Sequence, residues 1–181
     1  TPVFYKDRIY VAIGQDPAHG RGKGMLTCID ATGSGDITKT GKLWSYGDLD
    51  RSICTAAIAE GLLYVADIAG TLHCLDADTG KCLWTHATKQ EVWNSLLVGD
   101  GKVYLGTKKS LWVLAAGRQP KVLSELHLGS SLWSPPVAAN GVLYITSQRY
   151  LWAVQQGAPG PVVASVNAKG SDVPPAVPKP N

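Results

Sequence analysis

Short runs rich in β-branched and aromatic residues recur along this chain at intervals of forty residues, and this repeat limits the possible folds more than any other feature. Tyr64, Tyr104 and Tyr144 stand forty residues apart, each inside a run of the same shape. Tyr10 opens the series and precedes Tyr64 by 54 residues. Such spacing indicates one structural unit that is copied along the chain.

Each unit contains four such runs, which are separated by glycine, asparagine, aspartate and other turn residues. Runs of roughly four to six residues with these boundaries are strands rather than helices. Four strands in about 40 residues are typical of a β-propeller blade. The sequence therefore predicts an all-β fold, a β-propeller of four blades with four antiparallel strands each, with the blades at about 1–52, 53–92, 93–132 and 133–165.

Loop insertions account for the longer first interval. The distance from Tyr10 to Asp30 exceeds the matching distance in the second unit by eight residues, and Asp30 to Trp44 adds six more. Pro2 and Pro135–Pro136 fall in the first runs of the first and last units. Proline cannot donate to a strand ladder, so we expect these first strands to be edges that face the central channel. Residues 166–181 are predicted to be a flexible, proline-rich tail.

The segment Leu72–Trp84, LHCLDADTGKCLW, resembles the tryptophan-docking motif of pyrroloquinoline-quinone (PQQ)-like β-propellers. A stretched version lies at Cys28–Asp30 and Thr40–Trp44, whereas Ser124 and Ala164 replace the tryptophan in the last two units. In that family the tryptophan packs between neighbouring blades. The resemblance covers about residues 1–165, and is nearest to uncharacterised secreted bacterial PQQ-like repeat proteins.

The resemblance implies a ring of eight blades, of which four are seen here. We therefore expect the chain to be half of an eight-bladed ring, with a further protein chain or the missing half as its partner. Two alternatives remain: a closed four-bladed ring, and two copies that complete one eight-bladed ring. The family also implies a periplasmic or extracellular bacterial location.

The charge and the motifs narrow the functional classes. A net charge of +3 does not indicate a nucleic-acid partner, and no apolar run approaches the roughly 20 residues of a membrane span. The sequence has no Cys-x-x-Cys-His, Gly-x-Ser-x-Gly or His-Glu-x-x-His motif, and it lacks the adjacent cysteines of many quinoprotein dehydrogenases. The sequence therefore predicts no catalytic residues, no metal site and no resident cofactor.

One group of loop residues is a candidate surface for a ligand or a protein partner. Trp93 and Trp133 stand one repeat apart, each just before the first strand of its blade, and Ile53 occupies the same place in the second blade. Aromatic and charged side chains at the mouth of a propeller channel favour binding. Packing against the next blade is the alternative for both indoles. The candidate residues are Asp48, Asp50, Arg51, Glu91, Trp93, Asn94 and Trp133.

Two further sites carry a structural alternative. His19, Arg21 and Lys23 lie in a glycine-rich insertion that would suit an anion, although we favour a solvated loop on a face of the propeller. Cys74 and Cys82 flank the Asp78 turn symmetrically and would suit a cross-strand disulfide. We favour two small core side chains instead, because Cys28 recurs at the matching place in the first blade.

These observations predict a non-catalytic propeller segment that serves as a binding or scaffolding platform. The alternative is the C-terminal half of a PQQ-dependent quinoprotein dehydrogenase, with PQQ and calcium as cofactors, or a propeller subunit that supports a redox enzyme complex.

Overall fold

The computed structural model describes residues 1–14, 23–157 and 164–165, and these residues form sixteen strands. The first two sheets contain eight of them. The first sheet holds β1 (Val3–Tyr5), β2 (Arg8–Ile13), β3 (Gly24–Asp30) and β4 (Lys42–Leu49). The second sheet holds β5 (Ala57–Ala59), β6 (Leu62–Ala66), β7 (Thr71–Asp76) and β8 (Cys82–Ala87).

The last two sheets follow the same plan. The third holds β9 (Leu97–Gly99), β10 (Lys102–Gly106), β11 (Ser110–Ala115) and β12 (Val122–His127). The fourth holds β13 (Val137–Ala139), β14 (Val142–Thr146), β15 (Tyr150–Val154) and β16 (Ala164–Ser165). Within each sheet the strands are antiparallel and lie in chain order. The prediction of an all-β fold with four blades of four antiparallel strands is confirmed.

Tight turns join the first two strands of each sheet. Glu60 and Gly61 both have positive φ, at 51° and 75°, and Asp100–Gly101 and Asn140–Gly141 repeat this conformation. Two central residues with positive φ are typical of type I′ turns, whose twist matches that of the strands they connect. The glycine at the second place of these three turns adopts this conformation without strain, and Lys6–Asp7 has it in the first sheet with φ of 49° and 57°.

The proline prediction needs a correction. β1 begins at Val3 and β13 begins at Val137, so Pro2 and Pro136 stand just before the first strands rather than inside them. Proline has no N–H to donate to the β1–β2 or β13–β14 ladder, and both ladders accordingly begin at the residue after the proline.

A tyrosine of one blade reaches the next blade across each of the first two interfaces. In the first blade the Tyr10 hydroxyl donates to Ala77 O of the second blade, at 3.2 Å. In the second, the Tyr64 hydroxyl accepts from Gly117 N at 2.8 Å, and Trp84 Nε1 donates to Gly117 O at 2.9 Å. Tyr10 and Tyr64 are fully buried, so the main core lies between the blades as well as within them.

Candidate functional site

The segments that connect one blade to the next all lie at the same end of the strands. Each connector is held by a backbone hydrogen bond to the loop between the second and third strands of the following blade. Ile68 N donates to Arg51 O, Lys108 N to Glu91 O, and Gln148 N to Ser131 O. The three connectors therefore present their side chains from a backbone that is fixed in place.

Within each connector, one apolar side chain points outward. Ile53 is 51% exposed, Trp93 36% and Trp133 42%. The residue before each is buried: Ser52, Val92 and Leu132. Extended backbone alternates its side chains, so the inward residue anchors the segment and the next one faces solvent. We call Ile53, Trp93 and Trp133 the connector surface.

Two members of the connector surface touch. The rings of Trp93 and Trp133 have centroids 6.1 Å apart and an interplanar angle of 54°. Trp93 Nε1 donates to Glu91 Oε2 at 2.9 Å, and Lys108 Nζ lies 3.1 Å from the same oxygen. These contacts lower the pKa of Glu91, first through the hydrogen bond from Trp93 and then through Lys108. The carboxylate fixes the orientation of the Trp93 indole.

Asn94 takes a different place from its neighbours. Its side chain is 5% exposed, and Nδ2 donates to Leu132 O at 2.8 Å across to the next connector. Asn94 therefore holds the connectors of the third and fourth blades together beneath the two indoles. Arg51 is half-buried, and its Cγ lies against Gly14.

Asp48 and Asp50 lie away from the indoles, in a cavity of about 650 Å³ between the first two blades. Lys23 also lines this cavity. His19 and Arg21, which the sequence groups with Lys23 in an anion-binding loop, lie outside the described residues. The structure thus divides the predicted surface into the connector surface and this acidic cavity.

A hydrogen-bonded chain of three side chains forms the wall of the acidic cavity. His73 Nε2 lies 3.2 Å from Asp67 Oδ2, and His73 Nδ1 lies 3.1 Å from the Tyr46 hydroxyl. The Asp67 and His73 side chains are each 4% exposed. Because a carboxylate only accepts, Nε2 donates to it, and Nδ1 of a neutral ring then accepts from Tyr46.

Burial and hydrogen bonding have opposite effects on the pKa of Asp67. Burial by itself would raise the pKa of Asp67, but hydrogen bonds from the His73 ring and the Thr71 amide lower it overall. The pKa of Tyr46 is raised, mainly by burial. These hydrogen bonds therefore keep the Asp67 carboxylate ionised inside the protein.

The repeat itself contains a signal for the contact between His73 and Asp67. His73 stands where the third and fourth blades have Trp112 and Trp152, since all three pair with the matching residue of the preceding strand. Asp67 likewise stands where those blades have Thr107 and Ser147. His73 and Asp67 both depart from the repeat and touch each other. This indicates that a polar contact replaces apolar packing at this place.

Cys74 and Cys82 are free thiols, so the structure does not contain the disulfide considered from the sequence. Cys74 Sγ faces Gly117 O of the third blade, whereas Cys82 lies at the acidic cavity toward the first blade. A bulge at Cys74–Leu75 shifts the register, which pairs Cys82 with Leu75 and puts the two thiols on opposite faces of the sheet. Burial raises the pKa of Cys74 to about 12.

Metal-binding groups are sparse in the part of the chain that the structure describes. Within it, no three His, Cys, Asp or Glu side chains gather in a way that suits a metal ion. Asp76 instead accepts from its own turn and pairs with Arg118, at 3.1 Å. The Trp93 and Trp133 rings are tilted by 54° against each other. Among the described residues no helix has the length and apolarity to cross a membrane.

Comparison with known proteins places this geometry in a family. A family profile described as outer membrane protein assembly factor BamB matches residues 22–119, more than half of the chain. No curated protein matches. Among solved structures, BamB from Moraxella catarrhalis superposes with a TM-score of 0.65 at 18% identity, over 82% of this chain and 43% of its own.

Two redox enzymes share the fold. The quinohemoprotein alcohol dehydrogenase ADHIIG from Pseudomonas putida HK5 superposes with a TM-score of 0.67 at 16% identity, over 90% of this chain and 33% of its own. A europium-containing methanol dehydrogenase gives 0.54 at 17% identity, over 70% of this chain and 24% of its own. This chain thus spans less than half the length of each. With its four four-stranded blades and its match to the BamB profile, the chain belongs to the PQQ-like β-propeller repeat family.

Proposed function

We propose that this propeller segment is a non-catalytic binding or scaffolding platform, and that the connector surface is where it binds a protein partner. The observation that carries the proposal is the repeated exposure of a large apolar side chain at one place in three consecutive connectors, Ile53, Trp93 and Trp133. Exposed tryptophans that are held rigidly, with a charged rim beside them, are typical of binding hot spots.

The partner that this surface suits is a protein segment with an apolar side chain. Glu91 holds the Trp93 indole, which lies against Trp133, and Asn94 ties the two connectors together, so little side-chain freedom is lost when a partner binds. The proposal contains no resident cofactor, and it puts the protein in the periplasm or outside a bacterial cell, as its resemblance to BamB supports.

Further blades are the second partner in this proposal. Phe4, Ile13, Met25 and Leu43 are exposed on the first blade, and Val137 and Leu151 on the fourth. On the first blade, these side chains lie on the opposite face of the sheet from Tyr10, whose hydroxyl reaches the second blade. Large apolar faces at both ends of a blade series favour more blades against them, in the same polypeptide or in a partner.

Photo-crosslinking tests the platform directly. We would place p-benzoylphenylalanine at Trp133 in the protein in its source organism, and at Leu123, which is similarly exposed on β12, as the matched control. The proposal predicts one dominant adduct from position 133 that is absent from position 123 and lost when Trp93 is also changed to alanine. Equal adducts from both positions would contradict it.

The dehydrogenase alternative gives the opposite result in a second assay. Addition of PQQ and calcium to the purified protein, followed by tryptophan fluorescence and by dye reduction with an alcohol, should change neither signal if the platform proposal is right. Saturable quenching together with dye reduction would favour the quinoprotein alternative.

A further inference from the structure

Two of the three blade-to-blade interfaces contain the indole of a tryptophan at the same register position. Trp44 pairs with Cys28, and Trp84 pairs with Cys74, each on the outer strand of its sheet. Each indole lies against the tyrosine of its own blade: the centroids are 5.8 Å apart for Trp44 and Tyr10, and 6.0 Å for Trp84 and Tyr64.

Both indoles reach the turn of the following blade. A methyl group on Gly80 would lie 2.5 Å from Cε3 of Trp44, so this turn has room only for a glycine. Trp84 Nε1 donates to Gly117 O at 2.9 Å. An indole thus fills the space between a tyrosine and a turn, and in the second interface a carbonyl oxygen accepts its N–H.

The third interface has the tyrosine and the turn but no indole. Ser124 pairs with Val113, as Trp84 pairs with Cys74, so serine stands at the tryptophan position. A cavity of about 600 Å³ opens here, lined by Tyr104 and Val113 of the third blade and by the Gln155–Gln156 turn of the fourth. Among the hydrogen bonds of the described residues, the Tyr104 hydroxyl takes part in none, whereas those of Tyr10 and Tyr64 cross their interfaces.

We propose that this cavity, at the interface of the third and fourth blades, binds a small planar aromatic molecule with an N–H donor, of the indole class. The protein itself supplies the argument, because at two other interfaces it seats an indole against the tyrosine that corresponds to Tyr104. The volume falls within the range of about 300–1,000 Å³ of ligand pockets. Most of the lining is apolar, with Leu111, Leu126, Leu143 and Ile145 around Val113.

The polar lining groups come from two turns: Asp100 and Lys102 of the third blade pair with each other, and Gln155–Gln156 belong to the fourth blade. Gln155 and Gln156 line it at the turn, at the place where Ala115 and Ala116 stand in the third blade. The Tyr104 hydroxyl lies on the opposite blade. The N–H of such a ligand can donate to a side-chain oxygen of Gln155 or Gln156 or to the Tyr104 hydroxyl, while its ring packs on the apolar lining. A wholly apolar ring would make no such hydrogen bond.

Titration of the full chain with indole tests the site, by isothermal calorimetry and by ligand-observed NMR. We expect one saturable site with a Kd on the order of 0.1–1 mM, and several-fold weaker binding of naphthalene, which has no N–H. Ser124→Trp should place an indole beside Val113, which lines the cavity, and should weaken indole binding at least tenfold and raise Tm by about 2–6 °C.

Leu123→Trp is the matched control, since it adds an indole to the same strand at an exposed position. It should leave indole affinity within twofold of the parent protein. Should Ser124→Trp fail to fold, Val113→Phe fills the cavity from the neighbouring strand and should abolish binding as well. Absence of saturable binding by the parent chain, or equal binding by a folded cavity-filling variant, would overturn the proposal.

Discussion

Asp67 and His73 form a buried polar contact where the later blades have a small hydroxyl residue and a tryptophan. Asp67→Thr, which copies the residue of the third blade, leaves the His73 N–H without its carboxylate. We expect the free energy of unfolding to fall by about 2 kcal/mol, because a buried donor loses its partner. Urea denaturation measures this change.

A double variant separates this contact from a general effect of the substitution. Asp67→Thr with His73→Trp restores the pattern of Thr107 and Trp112, and the neighbouring cavity has room for the larger ring. The double variant should recover at least half of the loss, which corresponds to a coupling energy of about 1 kcal/mol or more. If the losses in free energy of unfolding from Asp67→Thr and His73→Trp simply add in the double variant, the contact between the two side chains does not contribute as assigned.

The same contact makes stability depend on acid. The pKa of Asp67 is lower in the folded protein than its ordinary value of 3.8, so its stabilising effect is complete above that value and is lost as the pH falls through the folded pKa. The stability difference between the parent chain and Asp67→Thr should therefore shrink below about pH 4. A difference that stays constant down to pH 2 would show that the carboxylate has no part in it.

At the scale of elements, the strands followed directly from the sequence. Turn pairs such as Asn140–Gly141 have the positive φ values that only a few residue types adopt readily, so they mark the hairpins without any tertiary information. Which face of a sheet meets which neighbour was not predictable in this way, because that depends on how the blades pack. The roles of the Tyr10 and Tyr64 hydroxyls across the interfaces appear only in the folded chain.

The dependence on blade packing also explains why the predicted binding surface separates into two parts. Asp48 and Trp93 both lie near connectors in the sequence, yet Asp48 faces the acidic cavity and Trp93 faces solvent beside Trp133. Asn94 resembles a surface residue by its polarity, but the alternation of the connector turns it inward. The position of Trp93 and Trp133 one repeat apart was nevertheless enough to predict that they lie at equivalent places.

The turn that receives Trp44 gives a test with an internal control. Gly80 and Gly141 both have positive φ, at 71° and 74°, but only Gly80 has an indole against it. Gly141→Ala should cost about 1 kcal/mol through backbone strain alone. Gly80→Ala should cost about 2 kcal/mol more, because its methyl group would overlap the Trp44 ring. Thermal unfolding of both variants compares them, and equal costs would mean that this turn does not bear the indole.

At the scale of the whole molecule, exposed apolar side chains are grouped rather than scattered. Those of the described residues lie on the first blade, on the last two blades and on the connector surface. Apolar ends belong to the way in which blades stack, whereas the connector surface lies at the loop end of the strands, where blade packing does not require apolar groups. The platform proposal therefore rests on Ile53, Trp93 and Trp133 rather than on the ends.

Native mass spectrometry tests the platform most directly, on protein isolated from its source and compared with a Trp93→Ala, Trp133→Ala variant. The variant should fold normally, because both side chains are substantially exposed. We predict that the parent protein carries a second polypeptide of defined mass and that the variant loses it while keeping its own mass and thermal stability. A parent protein that is found alone, or a variant that retains the same partner, would contradict a binding role for the connector surface.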